Sequence, residues 1–222
     1  MTNTKKYFII SAILFVAFII MTYLAATYDV QAIGPQGSKV GFAAINGPIA
    51  QKLPYNDLAY TLSEVLGYLA ISTVCIFGLF GVMQLFIRKG FKKVDKDLYA
   101  LLGLYVLVLI IYIIFEKLII NYRPVILEEG LEASYPSSHT MLSVAFVSAA
   151  FQQFSVRLKK RSTRNTVLVL CAIDGVAMVI CRILAGVHWF TDIIAGVLVA
   201  AACFMLYLGV FKTIHNGNKK EE

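Results

Sequence analysis

Three short stretches of this chain carry residue types suited to moving a phosphoryl group. The first is Lys117-Leu-Ile-Ile-Asn-Tyr-Arg123-Pro124, and the second is Tyr135-Pro136-Ser137-Ser138-His139-Thr140. The third runs from Arg182 through His188 to Asp192. Lys117, Arg123 and Arg182 would place three cations in one small volume, which is tolerable only around an anion, and arginine forks match phosphate oxygens. Ser137 and Ser138 precede an apolar run. A helix starting there aims free backbone N–H groups and its positive dipole end the same way. His188 and Asp192 are four residues apart, so on a helix they share a face. Asp192 can then accept from the imidazole Nδ1–H and leave Nε2 nucleophilic. His139 starts a different element and is available to protonate a leaving oxygen. Together these residues predict phosphoryl transfer through a phosphohistidine, with the cations stabilising charge on the equatorial oxygens.

Two plainer readings compete. Asp192 and Arg182 could pair across helix ends with His188 as a cap. His-x3-Asp with a further His also resembles a metal-ligand set, but three adjacent cations repel a divalent ion, so neither a metal nor a cofactor is expected. Asp174, inside an apolar run, reads as a protonated or hydrogen-bonded carboxyl. Glu64, a turn or two into another, either faces the cavity or makes a structural polar contact, and the contact is the favoured reading. Glu116 falls on a different helix face from Lys117. Glu128, Glu129 and Glu132 read as solvated surface, and His215 as an exposed tail residue.

The elements that must position these groups are apolar helices. Of the 222 residues, 59% are hydrophobic and only 15% charged, against roughly 25% charged in a soluble domain. With a mean hydropathy of +0.76, this composition excludes a water-soluble globule, a disordered chain and a disulfide scaffold. Cys75, Cys171, Cys181 and Cys203 lie singly in apolar runs and read as packing residues. Six spans of about 20 residues are expected: Tyr7–Tyr28, Leu58–Ile87, Leu98–Ile120, Ser138–Ser155, Thr166–Val187 and Phe190–Phe211. They form an all-α bundle and a single domain over residues 1–222, with the motifs at 117–192. The first span exceeds the apolar core of a signal peptide, about 7–15 residues, although Val30-Gln31-Ala32 resembles a cleavage site. The loop from Asp29 to Asp57 either folds back over the outer face or simply connects.

The net charge of +7 is explained by where the cations fall. Lys5, Lys6, Arg88, Lys89, Lys92, Lys93, Lys96, Arg157, Lys159, Lys160, Arg161, Arg164, Lys212, Lys219 and Lys220 all belong to segments on one side of a six-span chain. The positive-inside rule makes that side cytoplasmic. Both termini are then inside, and the three motifs lie at the extracytoplasmic end of a multi-pass plasma-membrane protein. The basic loops suit anionic lipid headgroups, and no nucleic-acid partner is expected. Nothing in the sequence indicates an oligomeric state.

At these residues the sequence resembles the type 2 phosphatidic acid phosphatase superfamily, which shares its core with vanadium haloperoxidases. The family pattern is Lys-x6-Arg-Pro, Pro-Ser-Gly-His and Ser-Arg-x5-His-x3-Asp. Arg182, His188 and Asp192 match the third motif in spacing, and Pro136, Ser137 and His139 match the second. Lys117-x5-Arg123 is one residue short, Ser138 replaces the glycine, and Cys181 replaces the serine before Arg182. The resemblance implies His188 as nucleophile, Asp192 as its orienter and His139 as general acid. Lys117, Arg123, Ser137, Ser138 and Arg182 are implied to bind phosphate, without metal. Haloperoxidases are soluble, so six spans favour the lipid phosphatase branch. The implied substrate is a lipid phosphate or diphosphate, such as undecaprenyl diphosphate, phosphatidylglycerol phosphate or phosphatidic acid. A lipid phosphotransferase, or a non-catalytic lipid-phosphate binder or transporter, is the alternative.

Overall fold

Charge and capping residues set the helix ends. In a computed structural model, which describes residues 4–127 and 130–221 (the last four as backbone only), seven helices follow one another. They are α1 (Lys5–Thr27), α2 (Ala43–Lys52), α3 (Asp57–Arg88), α4 (Lys96–Lys117), α5 (Ser138–Arg157), α6 (Arg161–Ala185) and α7 (Phe190–Glu221). Glu128 and Glu129, expected as solvated surface, lie outside the described residues. The Asn56 side chain accepts from the Ala59 N–H and starts α3, and Lys89 in the left-handed region ends it. Gly186, at φ +65°, stops α6 in a conformation glycine adopts readily. The next residues can therefore turn directly into the segment carrying His188. Among the described residues there are only isolated β-bridges and no strand.

Five helices, α1, α3, α4, α6 and α7, are long and apolar enough to cross a membrane. Their outward residues include Ile13, Ile19, Leu79, Phe86, Leu109 and Ile173, all exposed. An apolar surface of this extent needs lipid to cover it. The fourth expected span, α5, is a 20-residue helix, about 30 Å long, but it is too polar to count among those five. It carries Ser138, His139, Gln152, Gln153 and Arg157, and only Phe151 and Val156 along it are exposed. It packs against α3, α4, α6 and α7. A helix enclosed by protein does not need an apolar outer face. The small Ser143, Ala145, Ala149 and Ala150, all buried, let its neighbours come close.

Polar contacts define two ends. At the cation-rich end, Arg157 donates to Asp95 at 3.2 Å and to both carboxylate oxygens of Asp97 at 2.8 and 2.9 Å. Arg88 reaches Asp95 at 2.7 Å. These bonds gather the end of α3, the start of α4 and the end of α5. At the opposite end, Asn56 N–H donates to the Ala185 carbonyl, and Thr22 bonds the Tyr135 hydroxyl at 2.9 Å. The loop after α1 folds back, one of the two arrangements open to it. Asn46 of α2 donates to Thr191 at 2.8 Å and accepts from its N–H, strapping the loop onto α7. Two sequence expectations need correction here. The last helix runs past Phe211 to Glu221, and His215 is half-buried, stacked on Phe211 at 4.1 Å between ring centroids.

Candidate active site

The site lies where α4 ends, α5 begins and α6 passes into α7. His188, on the short link between α6 and α7, is buried. Its Nδ1 lies 3.0 Å from both oxygens of Ser134, the hydroxyl and the backbone carbonyl. The Ser134 hydroxyl donates to Asp192 Oδ2 at 2.6 Å, so both serine oxygens face Nδ1 as acceptors. Nδ1 must therefore carry the proton, and Nε2 keeps its lone pair. That Nε2 is buried without a partner. Burial, together with the nearby charges of Arg123 and Arg182, holds the imidazole well below its ordinary value of 6.5, so it stays neutral near pH 7.

This corrects the expected contact between His188 and Asp192. The two do not hydrogen-bond directly, because Ser134 stands between them. Asp192 collects three donors: Ser134 Oγ, Asn121 Nδ2 at 3.0 Å and the Trp189 N–H at 3.2 Å. Asn121 in turn accepts weakly from the Gly41 N–H at 3.4 Å. The alternative pairing of Asp192 with Arg182 does not occur. Arg182 reaches across to α3, where its Nη2 donates to Glu64 Oε1 at 2.7 Å and its guanidinium lies 5.4 Å from the centre of the Tyr60 ring.

Arg182 is fully buried, yet its Nε and Nη1 have no partner. Arg123 is similar: Nη2 pairs with Glu132 at 3.0 Å and Nε is unsatisfied. Glu132 is thus an ion-pair partner rather than free surface. His139 contacts Glu64 through Nε2 at 3.2 Å, while its buried Nδ1 is free. Ser137 stands at the start of α5 without a side-chain capping bond and contributes less than expected. Its N–H is already donated to the Asp192 carbonyl at 3.0 Å, and its hydroxyl pairs with Thr140. Ser138 lines the small cavity beside His188, as does Glu116. Lys117 is exposed at the end of α4, forms no ion pair among the described residues, and does not line that cavity. Asp174 is also buried without partners, but it lies two turns down α6, about 12 Å from Arg182 along the axis. No cluster of acidic, histidine or cysteine side chains suited to a metal ion occurs among the described residues.

Arg123, Arg182, His139 and His188 thus converge, and between them they hold five unsatisfied buried polar atoms. Three are guanidinium nitrogens able to donate, one is the His188 lone pair, and the fifth, Nδ1 of His139, donates only when that ring is doubly protonated; a set of this kind suits an oxyanion. Sequence reasoning missed Ser134, Asn121, Tyr60 and Gly67 as parts of the site. For Glu64 it favoured a structural polar contact over a place facing the cavity, although an ionisable group at membrane depth is a functional signal in itself.

An all-helical membrane protein with buried histidine and arginine side chains gathered at one end is the class that fold and geometry define. The family model of the PAP2 superfamily matches residues 105–215, half of the chain, and the chain belongs to that superfamily. Its fold is similar to that of the crystal structure of the first transmembrane PAP2-type phosphatidylglycerolphosphate phosphatase from Bacillus subtilis. The TM-score is 0.62 over 96% of this chain and 97% of that one, at 18% sequence identity. Comparison with curated proteins found no match.

Proposed function

We propose that this chain is a single-domain lipid phosphatase with six membrane spans that cleaves a lipid phosphate or diphosphate without metal. The observation that carries this reading is the set of unsatisfied atoms: Nε and Nη1 of Arg182, Nε of Arg123, Nδ1 of His139 and Nε2 of His188. Membership of the PAP2 superfamily supports it, as does a fold shared with a membrane phosphatidylglycerolphosphate phosphatase.

In the first step, His188 Nε2 attacks phosphorus. A P–N bond forms as the P–O bond to the lipid breaks, and the Nδ1 proton of His139 goes to the leaving oxygen. Arg123 and Arg182, with the open N–H groups at the start of α5, hold the equatorial oxygens. In the second step, His139 takes a proton from water, which attacks phosphorus. The P–N bond breaks, and phosphate and free His188 are restored. Asp192 acts through Ser134, keeping Nδ1 protonated and offsetting the positive charge that His188 acquires. The candidate substrates are undecaprenyl diphosphate, phosphatidylglycerol phosphate and phosphatidic acid.

The purified protein in detergent is expected to release phosphate from at least one of these lipids in the presence of EDTA. Vanadate, which mimics the trigonal-bipyramidal state, is expected to inhibit competitively. Activity lost in EDTA and restored by a divalent ion would overturn the phosphohistidine route.

Helix α5 connects the two polar ends, as the five apolar helices do, which supports a sixth crossing. The cation-rich end is cytoplasmic and the site extracytoplasmic, which suits a carrier lipid recycled from the outer leaflet. In a background without the four native cysteines, Lys52→Cys at the exposed end of α2 is expected to react with a membrane-impermeant maleimide in intact cells. Ser162→Cys is expected to react only after lysis. The reverse pattern would place the site in the cytoplasm and point to inner-leaflet lipids.

A further inference from the structure

Helix α3 lies outside the stretch matched by the family model, yet three of its residues touch the site. Tyr60, Glu64 and Gly67 are spaced four and three apart, so they share one helix face. Tyr60 lies under the Arg182 guanidinium, and Glu64 contacts both Arg182 and His139. Gly67 makes the His139 contact possible. A Cβ there would meet the imidazole Cδ2 at 3.3 Å, tight enough to push the ring away from α3. The Glu64 carboxylate is bifurcated: Oε1 lies 2.7 Å from Arg182 Nη2 and 3.1 Å from His139 Nε2, and Oε2 lies 3.2 Å from the same Nε2.

We propose that Glu64 is a positioning residue that orients His139 as the general acid and keeps its Nδ1 proton available for the leaving oxygen. This rests on the phosphatase reading. The division of nitrogens supports it: Glu64 takes Nε2 of His139, while Nδ1 is buried and unpartnered, and carries a proton when the ring is doubly protonated. The carboxylate favours the doubly protonated ring, which has a proton to give. The other charges facing this ring are cationic: Arg182 from α6 and Arg123 from the link between α4 and α5. Among the described residues, Glu64 is the one anionic group in contact with the ring. The same carboxylate takes one corner of Arg182 and leaves Nε and Nη1 for phosphate. Glu64 therefore stands behind the acid and the cation without touching the reacting atoms.

The test compares two phosphate esters with the purified full-length protein in detergent. Dodecyl phosphate departs as an alkoxide and needs a proton. A dodecyl-substituted nitrophenyl phosphate departs as a stabilised phenolate and does not. Glu64→Gln keeps the hydrogen-bonding shape and removes the charge. Its kcat on dodecyl phosphate is expected to fall about 100-fold, the usual scale of general acid catalysis, and on the nitrophenyl ester less than about five-fold. An equal fall on both esters, or no fall on either, overturns the proposal. If Glu64→Gln does not purify folded, Glu64→Asp, with its carboxylate one methylene further back, must show the same bias between the esters, and an unbiased loss overturns the proposal. A wild-type protein that releases no phosphate from either ester or from the lipid panel refutes the phosphatase reading itself. An active wild type with an unbiased variant refutes only the role of Glu64.

Discussion

His188→Ala is expected to lower phosphate release by roughly four powers of ten, the scale seen when a covalent nucleophile is removed. The buried Nε2 of His188 has no partner and, with Nδ1 protonated, carries a lone pair, while the unsatisfied Arg123 and Arg182 nitrogens are donors. Removing it leaves a cradle that still holds phosphate but has nothing to attack it. The variant should therefore bind vanadate or inorganic phosphate weakly while turnover disappears. Its melting temperature in detergent should stay close to that of the wild type, because the imidazole makes its two contacts only to Ser134. If the folded variant keeps more than about a hundredth of the wild-type rate, His188 is not the nucleophile.

Asp192→Asn is expected to cost on the order of a thousandfold in kcat, through the wrong imidazole tautomer. Each carboxylate oxygen of Asp192 accepts at least one hydrogen bond: Oδ1 from Asn121, Oδ2 from Ser134 and the Trp189 N–H. An amide in this position turns an NH2 group towards a donor whichever way it is oriented. The Ser134 hydroxyl can then swing its proton to Nδ1 of His188, moving the imidazole proton to Nε2 and blocking attack. The negative charge that balances a phosphorylated imidazole is lost as well. Ser134→Ala is the informative partner. It removes the hydroxyl but leaves the Ser134 carbonyl to accept from Nδ1, so its loss should be smaller, around tenfold. The comparison needs only kcat at saturating substrate for the two purified variants. A fall of less than about tenfold for Asp192→Asn would reduce Asp192 to a helix cap.

Much of the site could be read from spacing alone. Arg123, His139, Arg182 and His188 were singled out by type and interval, and they converge. Helix ends were marked by charge, as at Arg88 and Lys96, because cations seldom sit in the apolar core of a span. What the sequence did not reveal depends on backbone paths. Ser134 separates His188 from Asp192 because the chain before α5 is laid across the link between α6 and α7, a contact between residues 54 positions apart. No local pattern encodes that contact. Lys117 fits the motif by residue type, yet it lies exposed at the end of α4. The N–H of Ser137 was read as free because helix starts usually leave it so, and the Asp192 carbonyl takes it. The polarity of α5 stands out in its composition, but its cause, enclosure by four other helices, appears only in three dimensions.

The stripe on α3 bears on how this protein could be divided or rebuilt. All the motif residues lie between 117 and 192, so that half looks like a transplantable cassette. It is not one. Arg182 is fully buried, and its counter-ion is Glu64. Moved without α3, the guanidinium would sit uncompensated in an apolar interior, a loss of several kcal/mol where a buried pair is broken. The strap from Asn46 to Thr191 would be lost too. A chimera that grafts the motif half onto a foreign N-terminal half must therefore bring along an acidic residue at the level of Glu64 and a gap at the level of Gly67. Two separately expressed halves would recover activity only by finding each other in the bilayer, with the ion pair between Glu64 and Arg182 as part of the seam.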